Sequence, residues 1–299
     1  MNTSTVATTP PSRAPHGATT DGQVLVPRKK RTRPAARLRA VAIAVVTLVT
    51  VFPYLWMLLA ALKTNVQISD NSQLFAFSPT LDNFRNVLQT NDFVPYILNS
   101  VYVAVGSTAV SLLLGVPAAW AIARFNLGAF NGVVLLARVV PAILLLVPWY
   151  YVFSQLGMVG GYTVLVLSHM FVGLPLVTWI MTGFFRSLPA ELDEAGQIDG
   201  LTEFGCFLRI SLPLAVPGMA TAAILSIVFS WNNFLFSLIL ANERTMTLPV
   251  ALFQFMAYAS VDWGGLMAAA TVMTAPIILF SLLAQKYVVG GLTAGATKG

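Results

Sequence analysis

Five of the eleven carboxylates in the chain lie in one short segment, residues 189–217, between two apolar runs. They are Glu191, Asp193, Glu194, Asp199 and Glu203. Pro189 and the first three carboxylates suit the first turn of a helix, where negative charge stabilises the positive end of the helix dipole. Gly200 can adopt the left-handed conformation that ends a helix, and Thr202 can begin a second helix that runs to Leu212, before Pro213.

This segment therefore predicts a hydrophilic helix–turn–helix that docks onto something in the aqueous phase. The bend forms a knob, a protrusion made of the small residues Ala195, Gly196 and Gly200. It can enter a cleft where larger side chains would clash. The alternative is a solvated interfacial loop, since charge runs are usually solvated. The residues predicted to make the docking contact are Glu191, Glu194, Ala195, Gly196, Asp199, Gly200, Leu201 and Phe204.

Motifs typical of catalysis are missing from the sequence. It has no HExxH pattern, no Gly-x-Ser-x-Gly elbow and no pair of carboxylates within an apolar run. Gly290 and Gly295 have the spacing of a phosphate-binding loop and Thr297 suits its last position, but Ala296 stands where that loop needs Lys. We therefore expect no catalytic residue, no metal and no cofactor in this chain, and any energy from ATP must enter through a partner.

Composition indicates a membrane protein, because 57% of the residues are hydrophobic and only 9% are charged. Six apolar runs are each near the roughly 20 residues that a bilayer core requires. They are residues 41–62, 97–123, 131–153, 162–184, 215–240 and 264–287. The pattern predicts an all-α membrane protein with six transmembrane helices in one domain, residues 41–290, which contains the charged loop 186–217.

Two terminal segments flank this domain. Residues 1–40 lack hydrophobic periodicity and end in a basic block, which predicts a disordered leader held on the cytoplasmic side by anionic lipid. A cleaved secretory signal and a nucleic-acid patch are the alternatives. The run after the basic block is long enough to span a membrane, which argues against a cleaved signal. The position of the block beside that run favours lipid over nucleic acid, so no nucleic acid is expected. Residues 291–299 form a short C-terminal tail.

The distribution of basic residues predicts the orientation in the membrane. The three loops that follow the first, third and fifth spans contain only three Lys or Arg residues, Lys63, Arg85 and Arg244. Because cytoplasmic loops carry the excess of Lys and Arg, the opposite side is predicted to be cytoplasmic. Both termini and the charged loop then lie in the cytoplasm.

Polar residues within the spans are candidates for a translocation path, because each is costly in hydrocarbon. Ser226, Ser230, Asn233 and Ser237 recur at helical spacing beside Trp231 and Asn232. They predict either a path wall with Trp231 as a stacking platform, or helix packing through small residues. The residues assigned to the path are Ser230, Trp231, Asn232, Asn233 and Ser237.

Other polar residues and prolines in the spans leave similar alternatives. Arg138 either extends its charge to the inner interface or takes part in the path or in a pair. His169 is either an interhelical hydrogen-bonding residue or a proton relay, for which no span supplies a carboxylate partner. Pro141, Pro148 and Pro175 predict interruptions of the helices, as kinks or as breaks that expose carbonyls.

The charged loop resembles a known motif. Glu194-Ala195-Gly196, then Gly200, then Ile210-Ser211-Leu212-Pro213 are similar to the EAA loop of membrane subunits of ATP-binding-cassette importers. Residues 231–234, 247–250 and 290–299 are similar to the carbohydrate-importing branch of that family. Two departures are Gly196, where the motif has a second alanine, and Asn233, where an acidic residue is common.

This resemblance implies the type I importer permease fold, with the loop as a coupling helix, in the bacterial cytoplasmic membrane. It also implies two related permeases, a dimer of ATPases that bind ATP and magnesium, and an extracytoplasmic solute-binding protein. The tail residues Gly291, Gly295 and Lys298 are then expected to contact the ATPases. The solute is expected to be a sugar or oligosaccharide, with a glycerol-phosphate-type solute as the alternative. A self-contained secondary transporter or channel is the alternative function, and a membrane-embedded enzyme is a further one that lacks catalytic motifs.

Overall fold

The computed structural model describes residues 33–90, 93–256 and 261–296, with side chains for 36–89, 93–256 and 261–282. Two compact units make up the chain, Met1–Thr50 and Val51–Gly299, and the candidate site lies in the second. Within the described residues the structure is helical, apart from one isolated β-bridge between Met256 and Val261. The predicted all-α class is confirmed.

The described helices, in chain order, are α1 (Arg33–Ala61), α2 (Asn65–Ser69), α3 (Asp82–Arg85), α4 (Val94–Arg124), α5 (Gly128–Val139), α6 (Leu146–Gln155), α7 (Tyr162–Ser187), α8 (Glu191–Ile198), α9 (Glu203–Cys206), α10 (Leu212–Leu214), α11 (Val216–Trp231), α12 (Leu235–Leu240), α13 (Leu248–Ala251) and α14 (Trp263–Ala296). Single π-helical turns cover Asn86–Thr90 and Phe207–Ser211. Because α1 begins at Arg33, residues 33–40 of the predicted leader are helical.

Four helices of the described chain are long and apolar enough to cross a membrane: α1, α4, α7 and α14. Two further candidates are bent pairs, Gly128–Val139 with Ala142–Gln155 at 91° and Glu203–Leu214 with Val216–Trp231 at 72°. Counting each bent pair as one span gives six, the predicted number, although the second pair begins at Glu203, within the predicted charged loop.

Of the three prolines predicted to interrupt helices, only Pro141 ends one. It follows Val140, whose extended backbone (φ −64°, ψ 118°) is the conformation that a following proline favours. Pro148 lies in the first turn of α6, where a helix does not need its N–H, and Pro175 lies inside the continuous helix α7. The predicted break is therefore absent at Pro175, and a kink there stays a prediction.

The predicted fifth span, 215–240, is not one helix. Helix α11 ends at Trp231 and α12 begins at Leu235, and the Asn233 side chain accepts a hydrogen bond of 3.3 Å from the Phe236 N–H. An asparagine that bonds the backbone two or three residues later competes with helix continuation. The expected single stripe of Ser226, Ser230, Asn233 and Ser237 on one helix is therefore wrong.

Helices α4 and α7 form the centre of the bundle and run parallel. A Cβ atom on Gly115 of α4 would lie 3.0 Å from Val177 of α7, and one on Gly173 of α7 would lie 3.0 Å from Ser111 of α4. Small residues let the two backbones approach closely, which is how transmembrane helices gain packing contact. Helix α11 packs against both.

Candidate functional site: the charged loop and the buried polar seam

The charged loop forms the predicted helix–turn–helix. Gly200 has φ +88° and follows α8, so it ends that helix in the left-handed region as predicted. Thr202 begins the second helix, where its hydroxyl accepts a 3.1 Å hydrogen bond from the Gly205 N–H. The second helix does not stop before Pro213, because the wider turn Phe207–Ser211 lets it continue to Leu214.

Most residues predicted to make the docking contact are exposed. Those that face solvent are Glu191, Glu194, Ala195, Asp199, Gly200 and Phe204, and Leu201 is half-buried. Gly196 is buried: a Cβ atom there would lie 2.5 Å from Ile210 Cδ1 and 3.1 Å from Cys206 Sγ. Gly196 therefore packs the two helices of the loop together and forms no part of an exposed knob.

Ile198 belongs to the exposed face of α8 although it was not predicted there. It is 86% exposed, the highest value among the exposed large apolar residues of the described chain. Its spacing from Glu191, Glu194 and Ala195 follows the helical pattern i, i+3, i+4, i+7, which the sequence already contained. The outward face of α8 thus combines two carboxylates with an exposed apolar side chain at the end of the helix, a composition suited to a partner protein.

Asp193, on the opposite face of α8, ties the loop to the bundle. Its carboxylate lies 3.6 Å from the Arg124 guanidinium at the end of α4 and accepts a 2.9 Å hydrogen bond from the Ser211 hydroxyl. Both charged side chains are largely buried. Removing one partner would leave the other charge buried and unpaired, so this contact fixes the position of α8.

An aromatic chain makes a second link between the loop surface and the bundle. Exposed Phe204 lies 5.9 Å from buried Phe207, which in turn lies 5.1 Å from Trp120 of α4 and 6.5 Å from Phe185 of α7, measured between ring centroids. Packed interiors have low compressibility and transmit strain. The aromatic rings therefore join the loop surface to α4 and α7 in one packed chain.

A seam of buried polar side chains crosses the bundle. His169 of α7 lies within hydrogen-bond distance of Ser230 on α11 and of Ser237 on α12. The Ser107 hydroxyl on α4 also reaches Ser230, at 3.1 Å, and further along these helices Thr108 donates to Ser226 at 3.1 Å. The interhelical role predicted for His169 accounts for these contacts, and so does the packing alternative for the serines.

The remaining residues assigned to the path have mixed surroundings. Trp231 is 3% exposed and its indole N–H donates to the Met273 carbonyl at 3.1 Å, so its ring is part of the core. Asn232 is exposed and donates to the Val228 carbonyl. Asn233 is half-buried and caps α12. The assignment of these residues to a path stays a prediction, and this arrangement gives Trp231 no free face for stacking.

Arg138 has an aromatic partner that the sequence alone did not reveal. Its guanidinium carbon lies 4.3 Å from the ring centroid of Trp179 on α7, in the geometry of a cation–π contact. In the C-terminal tail, Gly291 and Gly295 lie within the backbone of α14, and Lys298 lies outside the described residues.

Comparison with known proteins identifies the family. Residues 111–293, more than half of the chain, match the family described as "Binding-protein-dependent transport system inner membrane component". The chain belongs to this family. One relative is the trehalose transport system permease protein SugB of Mycobacterium tuberculosis, which is 34% identical over 83% of this chain and 92% of its own length.

Two further relatives are named for sugar-containing solutes. The sulfoquinovosyl glycerol transport system permease protein SmoH of Agrobacterium fabrum is 33% identical over 88% of this chain and 94% of its own length. The trehalose/maltose transport system permease protein MalG of Thermococcus litoralis is 33% identical over 84% of this chain and 93% of its own length.

The fold also matches a solved importer. The crystal structure of a bacterial ABC transporter involved in the import of the acidic polysaccharide alginate superposes with a TM-score of 0.72, over 85% of this chain and 96% of that one, at 18% identity. The predicted importer permease fold is confirmed. The chain is a transport permease and an inner membrane component of a binding-protein-dependent system, so the secondary-transporter alternative is not favoured.

Proposed function

We propose that this chain is one permease subunit of an ATP-driven sugar importer and that the 189–214 loop receives the movement of a partner ATPase. The observation that carries the proposal is the two-sided structure of α8. Its outer face exposes Glu191, Glu194 and Ile198, while its inner face is fixed to α4 through the Asp193 and Arg124 pair. A docking surface joined rigidly to the membrane helices is what mechanical coupling requires.

The solute is proposed to be a sugar or an oligosaccharide. Relatives that align with at least four-fifths of this chain are named for trehalose, maltose and sulfoquinovosyl glycerol, all of which contain a sugar ring. These names favour a sugar over a glycerol-phosphate-type solute.

The assembly follows from this role. The proposed partners are a dimer of ATPases that hold ATP and magnesium, a second permease and an extracytoplasmic solute-binding protein. Both termini and the charged loop are proposed to lie in the cytoplasm, and the tail around Gly291, Gly295 and Lys298 is proposed to reach the ATPases. Impermeant labelling of Ser72→Cys and Thr202→Cys on intact cells tests the orientation: only the Ser72 position should react.

A charge reversal tests the coupling role. In liposomes that contain the assembled complex, Glu194→Lys should insert normally but lose ATPase copurification or solute uptake. Glu243→Lys is the matched control, because Glu243 is also exposed but lies in the loop between α12 and α13. Wild-type ATPase retention and uptake in Glu194→Lys would contradict the docking assignment.

A further inference from the structure

A pocket of about 320 Å³ lies at the 91° bend between α5 and α6. Its walls come from three spans, because the bend itself, one side of α7 and one residue of α11 all contribute. The lining residues include Arg138, Pro141, Phe171, Leu176 and Phe229. The pocket is large enough for a small ligand, since sites for small molecules typically occupy about 300–1,000 Å³.

Arg138 places a positive charge in this pocket at membrane depth. Its guanidinium carbon lies 4.3 Å from the ring centroid of Trp179. Trp179 precedes the end of α7, at Ser187, by eight residues. At 1.5 Å per residue the guanidinium therefore lies about 12 Å inside that end of the helix. The contact with Trp179 thus opposes extension of the charge to the inner interface.

This charge has no counter-ion in the chain. Arg138 is exposed on the isolated subunit, and it makes no ion pair with any residue that the structure describes. Charged residues within spans are costly in hydrocarbon and almost always face the bundle interior or a water-filled cavity. The exposed side of Arg138 therefore faces the aqueous path or another protein rather than lipid.

Backbone acceptors lie in the same pocket. Pro141 has no N–H, so the Ala137 carbonyl lacks the partner that a continuous helix would supply. The Arg138 and Val139 carbonyls also receive no backbone hydrogen bond from the described residues, because α5 ends at the bend. Residues 137–142 all line the pocket. Non-helical backbone occurs at membrane depth only where it is buried in protein or lines a water-filled cavity.

We propose that this pocket binds the transported solute through an acidic group, so that the solute is a sugar with a carboxylate or a sulfonate. A guanidinium held over an aromatic ring keeps the N–H donors of its own plane free, and these donors match two oxygens of such an anion. The unpaired carbonyls can accept hydrogen bonds from sugar hydroxyls. Phe171 and Phe229, which are exposed, offer apolar faces to the sugar ring.

The same observations argue against other occupants. A neutral sugar would leave the guanidinium without an anion, and hydrogen bonds to an ionised group are roughly twice as strong as neutral ones. The phosphate of an anionic lipid lies at the headgroup level, whereas the guanidinium is held about 12 Å inside the end of α7. The inference rests on the proposed function, since it takes the solute to be a sugar that passes through this bundle.

The inference is tested by titration calorimetry on the complex of both permeases with the ATPases. The probes are glucuronate, galacturonate and mannuronate, each compared with glucose, galactose or mannose, the neutral sugar that differs from it only at carbon 6. Wild type should bind at least one acid about tenfold more tightly than its neutral counterpart, the effect expected for a charge-assisted hydrogen bond.

Substitutions of Arg138 give the decisive comparison. Arg138→Gln should lower the affinity for the acid about tenfold and leave the affinity for the neutral sugar unchanged. Arg138→Lys keeps the charge but loses the paired donors, so its affinity for the acid should be intermediate. Arg85→Gln is the matched control, because Arg85 is an exposed arginine that does not line the pocket.

Three results would overturn the inference. The first is that wild type prefers none of the acids, and the second is that Arg138→Gln weakens acid and neutral sugar equally or no more than Arg85→Gln does. The third is loss of the second permease from Arg138→Gln, which would assign the charge to a contact between permeases. Copurification of the ATPases with wild type tests the proposed function separately, because it does not depend on which sugar binds.

Discussion

The Nδ1 atom of His169 lies 2.7 Å from the Ser230 hydroxyl, and on the other side of the ring Nε2 lies 3.3 Å from the Ser237 hydroxyl. Ser230 belongs to α11 and Ser237 to α12, which are separated by the break at residues 232–234. One imidazole on α7 therefore bridges both sides of that break. The ring thus ties the two helix segments together where the helix itself is not continuous.

Replacing His169 should weaken the bundle. His169→Leu removes both contacts and leaves two buried hydroxyls with one partner fewer, at a cost of about 1–2 kcal/mol, the range found for polar contacts between membrane helices. His169→Gln is the matched variant, because its amide can still donate and accept. Thermal unfolding in detergent should rank wild type above Gln and Gln above Leu. Equal midpoints for wild type and Leu would show that the bridge does not stabilise the fold.

Gly196→Ala tests the packing inside the charged loop. The added methyl group would lie 2.5 Å from Ile210 Cδ1, so the isoleucine must move, and overpacking of this kind typically costs about 1–3 kcal/mol. Ile210→Val removes the Cδ1 atom. The double variant Gly196→Ala with Ile210→Val should then recover most of the loss in unfolding experiments.

The single variant Ile210→Val provides the baseline for this cycle. If Gly196→Ala is as stable as wild type and the two substitutions are additive, Ile210 is not the residue that confines position 196. Packing would then not explain why this chain has Gly196 where the motif has its second alanine.

Features that depend on neighbouring residues could be predicted from the sequence, whereas contacts between residues far apart in the chain could not. The end of α8 and the start of α9 follow from local chemistry, since Gly200 and Thr202 each act within a few residues of themselves. The burial of Gly196 depends on Ile210, which belongs to the next helical segment. The cation–π partner of Arg138 lies on another span, and no period in the sequence relates the two.

The break after α11 shows a different limit. Hydropathy measures apolar length, and residues 215–240 are long enough for one span. Helical spacing of Ser230 and Ser237 suggested one face, and both residues do meet His169, but across a break. The signal for the break was the pair Asn232 and Asn233, whose side chains bond to nearby backbone groups.

Ile198→Ser should weaken the ATPase contact without weakening the fold. Ile198 is 86% exposed, so the isolated chain gains little from its side chain. Burying a large aliphatic side chain at an interface is worth about 1.5–3 kcal/mol, so the substitution should reduce ATPase affinity by about tenfold or more. The measurement is ATPase copurification as a function of salt and dilution.

Val66→Ser is the control for this substitution. Val66 is 77% exposed and lies on α2, away from the loop. Retention of the ATPase should be unchanged in Val66→Ser. A comparable loss in both variants would point to a general effect on expression or insertion, and a normal Ile198→Ser complex would remove Ile198 from the docking face.

Gly200→Asp gives the sharpest test of the coupling role, because the chain offers a matched glycine elsewhere. Gly200 has φ +88° and Gly157 has φ +66°, and in both cases an added Cβ atom meets nothing within 4 Å. Left-handed backbone costs a non-glycine residue roughly 1–2 kcal/mol, so Gly200→Asp and Gly157→Asp should lose similar stability. Gly157 precedes α7, whereas Gly200 lies in the loop that follows it.

The two variants should differ only when a partner is present. Reconstituted with the ATPases, the second permease and the solute-binding protein, Gly157→Asp should retain ATP hydrolysis that responds to loaded binding protein. Gly200→Asp should lose that response or lose the ATPase, because its new side chain meets the wall of the partner and not its own chain. Solute selectivity should not change in either. If Gly200→Asp transports as well as Gly157→Asp, backbone strain is its only effect and the ATPase docks elsewhere.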